Sequence, residues 1–227
     1  MTDYEIELSN YLLSFATENR KNRMENVLSQ RTRYLTIVLE DIFQPHNASA
    51  VVRSCDGFGI HDIHIIENRN RFKPNKDIDM GTTQWLNIQR YRPEQKKSCS
   101  KETLQKLKAE GYRIVATTPH TNDVNLEEFD LTKGKAAIVF GTELNGITKD
   151  VEEEADEFMK IPMHGFVESF NISVACALTL HHLSWKLRDS EIDWQLKQEE
   201  KDEILLDWLR KTLNNADSLE KRFKEEH

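Results

Sequence analysis

The spacing of hydrophobic positions changes along this chain, and the changes divide it into elements. Residues 4–30, "YEIELSNYLLSFATENRKNRMENVLSQ", place apolar side chains three and four apart without Pro or Gly, which predicts helix. From residue 34 short β-rich runs alternate with helical ones. "YLTIVLEDI" reads as a strand, and "NASAVVRSCDGFG" as a helix capped by Asn47 and stopped by glycine. "DIHIIE" and "WLNIQRY" read as strands on either side of the polar stretch "NRNRFKPNKDIDMGTT". "CSKETLQKLKAEG" is a helix ending at Gly111, followed by the strands "YRIVATTP", "KAAIVFG" and "FMKIPM". A helix is expected from about 171 to 188, and "EILLDWLRKTL" repeats Ile204, Leu205, Trp208, Leu209 and Leu213 along one face.

This alternation implies an α/β domain with a mostly parallel sheet. Ligands of such sheets bind at the carboxyl ends of the strands, so the loops after Thr118, Phe140 and Met163 are the places to look. Within 227 residues the pattern separates a core at 34–188 from helical extensions at 1–33 and 189–227. No run of about 18 apolar residues is present, which argues against a membrane helix. "MTDYEIELSN" lacks the basic and apolar regions of a secretion signal. Cys55, Cys99 and Cys176 are widely spaced, as in a reduced cytoplasmic protein.

A formal net charge of −8 argues against nucleic acid until its distribution is considered. Residues 189–227 carry 12 acids against 7 bases, leaving a net of −3 for the rest. "ENRKNRMENVLSQRTR" sets Arg20, Lys21, Arg23, Arg31 and Arg33 against two glutamates, so a local basic face is expected there. His61 with His64, or His181 with His182, lack thiolate or carboxylate partners nearby, and no metal is expected.

Three stretches carry the chemistry. In "PHNASAVVRSCDGFG", Arg53 is the only base on a helix of small and apolar residues; taken alone it is better explained as a structural arginine pairing with Asp56 or a carbonyl. "IVFGTELNGIT" ends a strand at Phe140 and turns through Gly141, Glu143 and Gly146, glycines that admit close backbone approach. "IPMHGFVESFNISVACAL" puts Glu168, Ser169 and Asn171 at the mouth of an otherwise apolar helix. Capping accounts for one of these three. The backbone N–H groups and short polar side chains together suit a carboxylate-bearing small molecule and a polar substrate.

In this order the stretches resemble the three motifs of the SPOUT superfamily of RNA methyltransferases, and more closely its SpoU branch of ribose 2′-O-methyltransferases. The resemblance implies a SPOUT fold: helices on both faces of the sheet and a C-terminal deep trefoil knot, a rare exception among folds. It implies S-adenosylmethionine as cofactor, held at Thr117, Thr118, Gly141, Ile161, Met163 and Phe170. Arg53 would be the catalytic arginine, with Asn47 and Ser169 orienting substrate or phosphate and Glu143 and Asn171 shaping the site and contacting substrate or cofactor. The helical extensions are similar to those of the TrmH type, which methylates guanosine 18 in the D-loop of tRNA. That similarity implies a homodimer and assigns Arg20, Arg23 and Arg31 to tRNA. The same chemistry on another tRNA position or on rRNA, and a catalytically silent RNA-binding scaffold, are the alternatives.

Overall fold

The strand candidates pair side by side in one parallel sheet. In chain order they are β1 (Leu35–Glu40), β2 (Asp62–Ile66), β3 (Asn87–Tyr91), β4 (Arg113–Thr117), β5 (Val124–Asn125), β6 (Ala136–Phe140) and β7 (Glu157–Lys160). They lie in the order β3-β2-β1-β6-β4-β7-β5, and every pairing is parallel. The helices are α1 (Asp3–Ser14), α2 (Glu18–Gln30), α3 (Pro45–Gly57), α4 (Ser100–Ala109), α5 (Lys149–Glu154), α6 (Ile172–Arg188), α7 (Gln198–Thr212) and α8 (Ala216–Glu226). This computed structural model describes residues 1–73, 81–94, 98–119, 123–142 and 146–226.

All of β1, β2 and β6 is buried, because helices cover both faces of the sheet and each strand is apolar on both sides. Strand alternation sorts the side chains into two cores. Leu35, Ile37, Leu39, Ile138 and Phe140 pack with Val51, Val52 and Cys55 of α3 and Cys176, Leu180 and Leu183 of α6. Val38, Ala137, Val139, Ile114 and Ala116 pack on the other face with Leu104 and Leu107 of α4 and Val151 of α5.

Several boundaries move, each for a local reason. The single helix expected over 4–30 is two, because Thr17 accepts from the N–H of Arg20 and starts α2 afresh. Helix α3 begins at Pro45 with Gln44 as its cap, not at Asn47, since proline at the first helical position fixes φ for the turn. Strand β5 was not expected; its two residues leave no periodicity to read. The core runs to Trp194, beyond the expected boundary at 188, because Ile192 and Trp194 pack on it and Arg188 stacks on the Trp194 ring at 5.2 Å.

Arg33–Trp194 forms one compact unit, and Met1–Thr32 with Gln195–His227 forms the other. The two extensions are thus one helical unit. Leu8 and Leu12 of α1, Met24 and Leu28 of α2, Ile204, Leu206, Trp208 and Leu209 of α7, and Phe223 of α8 are buried. Leu206 takes the buried place expected of Leu205, which is half-buried. Thr32 bridges to Gln195 where both chain segments leave this unit.

His64 on β2 is buried with Nδ1 at 2.9 Å from the Tyr91 hydroxyl. Burial, with a smaller contribution from the Lys106 charge, holds it at about 4 instead of the usual 6.5. The unfolded chain therefore takes up this proton first as pH falls, and stability drops between pH 6.5 and 4. His64→Gln should flatten that part of the curve by up to about 3 kcal/mol at its acid end, read from urea midpoints. An equally steep loss in the variant would contradict the assignment.

Candidate active site

A cavity of about 700 Å³ opens at the carboxyl ends of β4, β6 and β7. Thr117 and Thr118 come to it from the end of β4, Gly141 from β6, and Ile161, Met163, Ser169, Phe170 and Asn171 from the connection between β7 and α6. Sequence positions some 50 residues apart thus meet because parallel strands all deliver their loops to one edge. Glu143 lies outside the described residues.

The wall at β6 depends on a missing Cβ. Thr142 donates its N–H to the carbonyl of Gly146 at 2.8 Å and accepts from the Gly146 N–H at 3.0 Å. This pairing sets Gly146 and Ile147 against Gly141, where an added Cβ would stand 2.3 Å from the Gly146 carbonyl carbon and 2.5 Å from the Ile147 nitrogen. The loop's far end is tied down by Glu40, fully buried at the end of β1. That carboxylate accepts from the Thr148 hydroxyl at 2.8 Å, from the Thr148 N–H at 3.2 Å, and from the Ser100 hydroxyl. Burial pushes the Glu40 carboxyl above its ordinary range. Glu40 was missed in the sequence, although an acid inside the run "LTIVLE" was its signal.

The polar residues at the mouth of α6 are joined to α3. Asn171 caps α6 by accepting from the Ser173 N–H at 2.9 Å, and its Nδ2 donates to Asn47 Oδ1 at 3.2 Å. Asn47 is buried in the first turn of α3 and donates to Gln44 Oε1 at 3.2 Å. Gln44, which lines the cavity, was also missed; it stands immediately before Pro45 as the helix cap. One asparagine therefore does two things, capping a helix and linking two motifs. Glu168 and Ser169 are exposed at the rim. Arg53 is exposed on α3 and is not among the residues lining the cavity.

The basic run at the N-terminus is used differently from expectation. Arg31 is 1% exposed, with its guanidinium over the Trp208 ring at 5.7 Å, so it is packed inside the helical unit and not on the exposed basic face expected for it. Arg20 donates to the Thr212 carbonyl at 2.8 Å, and Lys21 pairs with Glu18 at 2.6 Å. Arg33, in the other unit, pairs with Asp62 at 3.0 Å. Arg23 is exposed. Among the described residues no group of three His, Cys, Asp or Glu side chains could hold a metal ion, and no helix is long and apolar enough to cross a membrane.

Residues 34–181 match the SpoU rRNA methylase family. This chain belongs to that family. It is 41% identical over 220 residues to the tRNA (guanosine(18)-2′-O)-methyltransferase of Borreliella burgdorferi, covering 97% of this chain and 98% of that one. The protein of the same name from Thermus thermophilus is 34% identical over 86% of this chain and 98% of its own. Among solved structures, the Aquifex aeolicus TrmH/SpoU tRNA modifying enzyme superposes with a TM-score of 0.77 at 28% identity, over 87% of this chain and 98% of that one. The SpoU match spans the cavity, all of α3 and the first half of α6, with the Asn47–Asn171 link between them. At 97% of the chain, the likeness to the Borreliella burgdorferi protein extends through most of the helical unit as well.

Gly141→Ala should force the β6 loop away from its backbone contacts and cost roughly 1–3 kcal/mol. Scanning calorimetry would show a midpoint lower by several degrees; an unchanged midpoint would mean that the loop yields without cost.

Proposed function

We propose that this protein transfers a methyl group from S-adenosylmethionine to a ribose 2′-hydroxyl of tRNA, at guanosine 18 in the D-loop. What carries this reading is that the second and third motif stretches line one cavity and the first is joined to its rim through the Asn171–Asn47 hydrogen bond, in a chain similar over nearly its whole length to a relative named for that reaction. The cavity also fits the cofactor on its own terms. About 700 Å³ is within the ordinary range for small-molecule sites, and backbone of Gly141 and Gly146 forms part of its wall.

When bound, S-adenosylmethionine supplies an electrophilic methyl group on a sulfonium. Backbone at Thr117, Thr118, Gly141, Ile161, Met163 and Phe170 holds it, as the family resemblance implies. Asn171 and Ser169 orient the ribose, and Asn47 acts through its bond to Asn171. Glu143 is assigned to the same site by its motif position alone. Much of the rate then comes from alignment of the hydroxyl with the methyl group. A guanidinium keeps its proton at neutral pH, so Arg53 is assigned to stabilise negative charge developing on the 2′-oxygen rather than to act as the base.

The position of Arg53 outside the cavity of its own chain supports a homodimer in which each site is completed across the interface. Val174, Leu178 and Trp185 give α6 an exposed apolar face at spacings of four and seven, and exposed Phe166 and Val167 precede it in the chain. Such a patch suits a second copy of the chain. Threading of the C-terminal segment as a knot is supported by the insertion of β6 between β1 and β4, and of β7 between β4 and β5. Arg20 and Arg23 of α2 are assigned to tRNA, and the protein to the cytoplasm.

The decisive assay incubates tRNA lacking this modification with the protein and methyl-labelled S-adenosylmethionine, then locates the label by nuclease digestion and mass spectrometry. The expected product is 2′-O-methylguanosine at position 18, reduced at least a hundredfold by Arg53→Ala and strongly reduced by Arg53→Lys. Label at another tRNA position or only in rRNA would overturn the substrate. Near-full activity of Arg53→Lys would remove the specific role of the guanidinium.

A further inference from the structure

With much of the N-terminal basic run engaged within the protein, a second group of cations becomes prominent at the carboxyl ends of β2 and β3. Glu67 directly follows β2, and its side chain is fully buried. It accepts from Arg90 Nη2, from Arg92 Nε at 2.6 Å and from the Phe72 N–H at 2.6 Å, while Arg71 Nη1 stands 3.9 Å away. Burial alone would raise this carboxyl, but the Arg90 and Arg92 hydrogen bonds outweigh it and hold the group at about 2. Three guanidiniums therefore share one carboxylate. Their side chains remain 38%, 51% and 55% exposed at Arg90, Arg92 and Arg71. Arg69 and Lys73 are exposed beside them in sequence. Residues 67–73 and 90–94 carry five bases against two acids, a net of +3 in a chain whose net is −8.

A structural ion pair needs one cation, not three. The surplus is also held in place. Asp41, at the exit of β1, accepts from the N–H groups of Arg69 at 2.7 Å and Asn70 at 3.2 Å, and its carbonyl accepts from Asn70 Nδ2 at 2.9 Å. Arg90 donates to the Phe72 carbonyl at 3.0 Å and lies over the Phe72 ring at 5.8 Å. Cations fixed in this way lose little freedom on meeting an anion, and guanidiniums present paired donors to phosphate oxygens.

Strand order sets the distance to the cavity. Between β6 and this group lie β1 and then β2 and β3, so at about 4.8 Å per strand the cations stand roughly 10–15 Å along the same edge. From the Arg69–Arg92 cluster we infer a docking surface for the ribose–phosphate backbone of the RNA substrate, taking phosphates that flank the reacting ribose. This rests on the reading that RNA is the substrate.

The test uses the full chain carrying Arg71→Gln with Arg92→Gln, leaving Arg90 on Phe72. Methyl transfer to tRNA should show KM for RNA raised about tenfold, equivalent to roughly 0.7 kcal/mol for each exposed charge lost. The slope of log affinity for tRNA against log salt should become shallower by roughly 1.5, at about 0.7–0.9 per phosphate contact. Turnover at saturating RNA and affinity for S-adenosylmethionine should not change. Arg69→Glu with Lys73→Glu leaves the bonds to Glu67 intact and should produce the same pattern, which keeps the test open if the first variant does not fold. Unchanged KM and salt slope in the folded variants, or a matching loss of S-adenosylmethionine affinity, would overturn the inference. If the wild type methylates no RNA, the proposed function fails instead, and the salt slope of tRNA binding still decides whether this surface holds RNA.

Discussion

Parallel pairing of every strand is the constraint on which the rest of this molecule depends. A parallel sheet cannot be closed by tight hairpins, so each strand must be followed by a crossover, and all the loops leaving carboxyl ends gather along one edge. Helices forming the crossovers cover both faces, which is why β1, β2 and β6 are buried throughout and read as mostly apolar runs. The edge is then the one region where backbone groups and polar side chains from distant parts of the chain can face a ligand together. Thr117, Gly141 and Asn171 share a cavity for that reason.

Three small contacts turn that edge into a defined site. Absence of a side chain at Gly141 lets the Gly146–Ile147 backbone lie against the strand end. Glu40 holds the far end of the same loop from inside the sheet, bonded to Thr148 and Ser100. Asn171 caps α6 and reaches Asn47, so the starts of α3 and α6 keep a fixed relation. A buried carboxylate and a buried asparagine are costly unless satisfied, and here their partners belong to the elements that must be positioned. The energetic cost of burying polarity is offset by hydrogen bonds that also build the site.

Much of this architecture was legible in the sequence, and the reasons are physical. Strands covered on both faces are mostly apolar on both, so β1, β2, β4 and β6 stand out, and long helices such as the largely apolar α6 and the amphipathic α7 do as well. Strand β5 is too short to carry a period, and the break at Phe15–Thr17 hides in a stretch whose spacing stays helical on both sides. Among site residues, the glycine turn and the polar mouth of α6 were readable because they interrupt apolar runs. The acid in "LTIVLE" marked Glu40 but not its partners, which lie 60 and 108 residues away, and Gln44 was hidden because a proline shifted the helix start. Charge misled in a different way. Arg31 and Arg33 look like part of a basic face in one dimension, yet Trp208 and Asp62 engage them in three.

The central claim is that S-adenosylmethionine occupies the cavity where β4, β6 and β7 end. Hydrogen–deuterium exchange with and without the cofactor tests it most directly. Peptides covering Thr117–Thr118, Gly141 to Thr148 and Ile161 to Asn171 should gain protection on adding it, with no change across α1 and α2. No protection at millimolar cofactor, or protection confined to other parts of the chain, would contradict the account.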